Sequence, residues 1–112
     1  MKRNGIAALA ILALVGMAAP ALAADATAPT VVLKDHKFDP AEIHVPAGKR
    51  ITLTVDNQDA TPEEFESQEL KVEKVVAGSS KGIVRFGPLE AGTYPFHGEY
   101  NEATAQGKVI AE

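Results

Sequence analysis

From residue 30 onward the chain alternates between apolar and polar positions. Ile51, Leu53 and Val55 are separated by Thr52, Thr54 and Asp56, the period-two pattern of a half-buried strand. Val31-Val32-Leu33 opens the pattern, and Ile43 and Val45 bracket His44. Glu63 to Glu66 reads as another extended piece. Val84 and Phe86 share one face of a further strand, Tyr94 and Phe96 one face of the next, and Lys108 to Ala111 forms the last. Leu70 to Val76 fits either a strand or one turn of helix. Turn signals stand between these runs: Pro46-Ala47-Gly48-Lys49, the polar stretch Asn57 to Pro62, Gly78-Ser79-Ser80-Lys81-Gly82, and Pro88 to Gly92. No 3.6-residue pattern is long enough for a core helix, and no repeat is visible. Short strands separated by turns predict an all-β sandwich or barrel.

The start of the chain follows a different rule. Lys2 and Arg3 precede an uncharged run from Ile6 to Val15, Pro20 breaks it, and Ala21-Leu22-Ala23 supplies a small-x-small cleavage pattern. That order is a secretory signal. A membrane anchor is the alternative, but the run is shorter than the roughly 20 apolar residues a span takes. The expected organisation is a signal over 1–23, a flexible lead over 24–30 and one domain over 31–112, exported to the periplasm without stable membrane insertion. With the leader go Lys2, Arg3 and both methionines. The 11 basic residues of the chain become 9 against 15 acidic ones, a balance of −6. An acidic surface argues against nucleic acid as a partner and suits cations. There is no cysteine, so disulfides and thiolate metal sites are excluded.

Phe38-Asp39-Pro40-Ala41-Glu42-Ile43-His44-Val45-Pro46-Ala47-Gly48 resembles the opening of cupredoxin-like domains. Asn57-Gln58-Asp59 resembles their N-x-D, and Leu89-Glu90-Ala91-Gly92-Thr93-Tyr94-Pro95-Phe96 their L-x-x-G-T-Y-x-F. The resemblance implies a cupredoxin-like Greek-key β-sandwich. It also implies where blue-copper members carry their ligands: a His after Pro62, a Cys about two residues beyond Phe96, a second His near Asn101 and a Met near Ala105. This chain has Glu63, Gly98, Asn101 and Ala105 there. A type 1 copper centre needs two imidazoles and a thiolate, so none is expected. Glu63-Glu64-Phe65-Glu66-Ser67, Glu73-Lys74, Gly98-Glu99-Tyr100 and Ala105-Gln106-Gly107 are similar to the EfeO-type cupredoxin-like domains and the small periplasmic proteins that accompany high-affinity iron permeases. That likeness implies handling of iron, with or without copper.

Glu64 and Glu66 are two apart, so on a strand both carboxylates share a face while Glu63 points the other way. Paired carboxylates suit iron, manganese or calcium, and Cu(II) when an imidazole joins them. Spacing alone favours the plainer reading, the wet face of an edge strand; the resemblance brings the ligand reading level with it. His97 and Glu99 are also two apart, beside the loop that carries ligands in the family. With Glu64 and Glu66 they are the expected oxygen and nitrogen site. A partly buried His97 ring bonded to backbone stands open as the alternative. His36, Glu63 and Glu73 are secondary candidates. His36 reads first as exposed beside Asp35 and Lys37, Glu73 as part of a solvated charged segment, and His44 as solvent-facing. No nucleophile constellation or phosphate loop is visible. The expected function is a periplasmic protein binding an iron or copper ion and assisting ferrous iron uptake with a permease system, an accessory ferrous-oxidation role being compatible. The competing expectation is a metal-free protein-interaction module.

Overall fold

The computed structural model describes residues 28–112; the expected signal segment and the lead up to residue 27 lie outside the described residues. Nine strands follow in order: β1 Thr30–Lys34, β2 Lys37–Asp39, β3 Glu42–Val45, β4 Ile51–Asn57, β5 Glu63–Ser67, β6 Val72–Val76, β7 Ser80–Phe86, β8 Gly92–Gly98 and β9 Gln106–Ala111. They form two sheets, β2-β1-β4-β7 and β3-β9-β8-β5-β6. β1 runs parallel to β4 and β3 parallel to β9, while the other pairs are antiparallel. Two packed sheets are what the alternation predicts, and their arrangement fits the Greek-key sandwich that the resemblance implies. Among the described residues no helix is long and apolar enough to cross a membrane.

Alternation decides which side chains enter the space between the sheets. Val31 and Leu33, Ile51, Leu53 and Val55, and Val84 and Phe86 enter from one sheet. Ile43 and Val45, Phe65, Phe96, Val109 and Ala111 enter from the other. At the centre three aromatic rings meet. Phe65 stacks on Phe96 with centroids 4.7 Å apart, and Phe38 stands edge-on to both at 5.9 and 5.1 Å, geometries that add to their area burial.

The structure adds one element to the sequence expectation, settles one open choice and moves one boundary. β2 is too short to show a period. Leu70 to Val76 resolves into a turn and then β6, whose only fully buried residue is Val76; an edge strand wet on most positions carries no alternation. Ser80 to Gly82 belongs to β7 rather than to the turn. Gly82 there marks a close approach, because a Cβ on it would stand 2.8 Å from Val76 Cγ2 across the sheets.

The loop after β4 is held from within. The buried Asn57 amide lies 2.9 Å from the Thr61 carbonyl, 3.2 Å from that of Ala77 and 3.3 Å from that of Val76. Asp59 accepts from the N–H groups of Asp35 and His36 at 2.7 and 2.9 Å, which stabilises two residues at left-handed φ of 53° and 60°. Burial alone would raise the Asp59 pKa, but these hydrogen bonds outweigh it and hold the group below its ordinary value. This loop and the start of β5 therefore form a firm end to the sandwich.

Phe65→Ala is expected to cost about 3–5 kcal/mol, because it removes a buried ring that packs on both of the others. The measurement is the urea midpoint at unchanged slope. A loss below about 1 kcal/mol would show that the aromatic trio is not the centre of the core.

Candidate metal centre

β5 has two faces with different chemistry. Its outward face carries Glu64 and Glu66, and its inward face carries Glu63, Phe65 and Ser67. Cross-strand register then supplies the neighbours of Glu66: Glu73 of β6 stands opposite on one side and His97 of β8 on the other. The turn after β8, a 3₁₀ turn over Glu99–Asn101, brings a further carboxylate over the group. His97 Nε2 lies 2.8 Å from Glu99 Oε1, 3.3 Å from Glu102 Oε2 and 3.9 Å from Glu66 Oε1.

Two sets of potential ligand atoms result. Glu66, His97 and Glu99 each offer one atom within 4.8 Å of the others, and Glu64, Glu66 and Glu73 do the same. Ligands at about 2.0–2.6 Å from one cation stand no more than about 5 Å apart, so either set has the spacing to share an ion. An open groove of about 760 Å³, lined by Glu66, Ser67, Val72, Glu73, Pro95 and His97 among others, gives access from solvent.

Crowding of like charge shows in the proton affinities. Glu64 is pushed above its ordinary value first by loss of solvent and then by Glu73. Glu66 is pushed up by loss of solvent and then by its hydrogen bond and repulsion with Glu99. Glu99 goes the other way, lowered chiefly by its hydrogen bond to His97 and then by that to Glu66. Partial burial pulls His97 down, but Glu99, Glu102 and Glu66 together outweigh it and the imidazole is raised.

The inward face is closed. Glu63 is 2% exposed. Its Oε1 accepts from the N–H of Tyr100 at 2.8 Å and from that of Glu64 at 3.1 Å, and its Oε2 accepts from Asn101 Nδ2 at 2.6 Å. Three hydrogen bonds answer the cost of burying a carboxylate. Gly98 leaves the space for it: a Cβ there would stand 2.6 Å from Glu63 Cδ and 2.8 Å from Ala105 Cβ.

Of the residues singled out in the sequence, Glu64, Glu66, Glu73, His97 and Glu99 come together on the outer face, and Glu63 lies beneath them in the core. His36 sits in the β1–β2 turn with its backbone bonded to Asp59, outside both sets. His44 is solvent-facing, between Glu112 at 2.9 Å and Glu42 at 3.2 Å. Glu102 was not singled out; only the 3₁₀ turn over Glu99–Asn101 brings it to His97. Asn101 stands out in the sequence only as a departure from a ligand histidine, and its role as a donor to Glu63 is visible only in three dimensions.

Comparison with known proteins gives a consistent picture. A family model described as the Cupredoxin-like domain matches residues 5–111. An uncharacterized protein of Rickettsia prowazekii (strain Madrid E) is 40% identical over 80 residues, 71% of this chain and 64% of its own length. The chain thus spans less than two thirds of that relative. Among solved structures, the metal-binding domain of the Streptococcus pneumoniae Cu(I)-exporting P-type ATPase CopA, with Cu(I), superposes with a TM-score of 0.68 at 16% identity, covering 76% of this chain and 84% of that one. A methionine-to-alanine mutant of amicyanin in its Cu(I) form gives 0.59 at 25% identity, covering 76% and 82%.

The family raises the question of a type 1 copper centre, and the residues here do not fit one. The four positions that resemble its ligand positions do converge, as Glu63, Gly98, Asn101 and Ala105. They meet around a carboxylate and an amide hydrogen-bonded to each other, with no sulfur, and a cysteine at position 98 would need the space that Glu63 Cδ fills.

Two outcomes follow. Gly98→Ala is expected to destabilise the fold by about 1–3 kcal/mol through overpacking against Glu63, read by urea unfolding; a neutral result would show that the carboxylate moves freely. The second concerns pH. His97 is raised above 6.5 in the fold, so its contribution is full below that value and is lost as pH rises through the folded pKa. The urea midpoint should therefore fall between about pH 6 and pH 8, and fall less in His97→Gln. An equal fall in both proteins would assign the effect elsewhere, His44 being raised by Glu112 and Glu42 in the same direction.

Proposed function

The chain belongs to the cupredoxin-like domain family, and on that premise we propose that it is an exported, periplasmic metal-binding protein that assists ferrous iron uptake. It takes iron or copper at the outer face through Glu64, Glu66, His97 and Glu99, and serves a membrane iron-permease system. The observation that carries this reading is the position of Glu66. It lies in register between Glu73 and His97, with Glu99 over the same group. Carboxylates this close repel unless a proton or a cation lies among them. The donors are oxygen and imidazole nitrogen, which suit Fe(II), Fe(III) and Cu(II); thiolate or thioether, which Cu(I) favours, is absent from residues 28–112. The relatives' copper is a property of those proteins, and what this chain shares with them is the sandwich. The signal pattern at residues 1–23 supports export, and the likeness of Glu63–Ser67, Gly98–Tyr100 and Ala105–Gly107 to iron-permease companions supports iron as the cargo.

Calorimetric titration of the purified protein with anaerobic Fe(II), Cu(II) and Zn(II) tests the reading. Saturable binding is expected for Fe(II) or Cu(II), weakened about tenfold or more by Glu66→Ala and by Glu99→Ala. Affinity should rise between about pH 5 and pH 7, because bound carboxylates and imidazole must first lose their protons. Absence of saturable binding by the wild-type protein would refute the function. Binding unaffected by both substitutions would refute the site.

A further inference from the structure

The outer-face group needs Glu99 in one place, and Glu99 lies on a short turn. Gly98, the residue before that turn, gives it no side-chain cap. The turn's own backbone bonds close its far side: Thr104 and Ala105 N–H donate to the Asn101 carbonyl at 3.1 and 2.8 Å, and Gly98 N–H donates to the Ala105 carbonyl at 2.8 Å. Its near side is tied to the core by Glu63. One carboxylate oxygen takes the Tyr100 N–H and the other takes the Asn101 amide. Glu63 belongs to β5, the strand that presents Glu64 and Glu66 on its other face. A single buried group therefore ties the strand that carries two of the outer carboxylates to the turn that carries the third.

We infer that Glu63 is a positioning residue for the outer-face site, an internal carboxylate latch that holds Glu99 against His97 and Glu66. The inference rests on the outer-face reading above, and it deepens it: the cation on the surface is bound by a group whose geometry is set from the core. Supporting hydrogen bonds of this kind tune metal affinity as strongly as many direct contacts do. The site around Glu63 is also complete in itself. Each carboxylate oxygen has a donor within 2.8 Å, and Glu63 faces the core from the side of β5 opposite Glu64 and Glu66.

The test compares Glu63→Ala with Glu63→Gln in the full protein, at a temperature where circular dichroism shows both folded. Both remove the charge. Only Gln can keep two hydrogen bonds, the Asn101 amide reversing so that its oxygen accepts from the new side chain. Glu63→Ala is expected to weaken Fe(II) or Cu(II) binding about tenfold or more, and Glu63→Gln to recover most of that loss. Equal weakening in both would assign the effect to charge and overturn the inference. If Glu63→Ala does not fold, Asn101→Ala serves, since it removes one arm of the latch at constant charge and should weaken binding similarly; unchanged affinity would overturn the inference. A crystal structure of the same variant without metal separates this result from the function itself. Displacement of Glu99 from its 2.8 Å contact with His97 is expected even if the wild-type protein binds no ion, and retention of that contact overturns the latch.

Discussion

A carboxylate buried between two sheets tolerates very few surroundings, and one end of this sandwich is arranged around that constraint. Glu63 must find donors for both oxygens because its burial strips them of bulk solvent. The donors come from the turn after β8, so that turn must close over the start of β5. Position 98 must then be glycine, since any side chain there would enter the carboxyl group, and Ala105 fits as a small residue against the same spot. Asn101 supplies the short amide that reaches Oε2. The four residues at the positions that resemble the family's ligand positions are thus one interlocking set.

The set also explains how polar chemistry is divided between the faces of β5. In a half-buried strand, neighbours in sequence face opposite media. Glu63 inward is locked by hydrogen bonds, whereas Glu64 and Glu66 outward meet other carboxylates and an imidazole in a partly wet groove. The inner position is crowded, satisfied and lacking sulfur. The outer one is open, crowded with negative charge and short of cations. Electrostatic strain therefore gathers where solvent and ions have access, which places the metal-binding chemistry proposed here on the surface of the sheet rather than in its core.

Legibility in the sequence followed burial. Strands with one wet and one dry face, such as β4, announced themselves through Ile51, Leu53 and Val55. β6 did not, because an edge strand with a single fully buried residue carries no alternation, and Gly82 resembled a turn glycine although it serves a close approach within β7. The same held for the site. Glu64 and Glu66 were readable as one face of a strand, and His97 and Glu99 as a pair near the ligand loop. Glu73 read first as a solvated charge, since nothing local says which strand will pair with β5. Glu102 was invisible without the 3₁₀ turn that aims it at His97.

The sequence by itself determined the alternation, and so the face on which each side chain of β5 must lie. It also excluded thiolate chemistry, since no cysteine occurs anywhere in the chain. Those are properties of composition and of a two-residue period, both of which are local. Only the tertiary structure decided that Glu66 falls between Glu73 and His97, and that Glu63 meets the Tyr100 N–H and the Asn101 amide, residues more than thirty positions away along the chain. Register between strands and the closure of one loop over another depend on how distant apolar faces pack, and no local pattern encodes which partner a buried carboxylate will find.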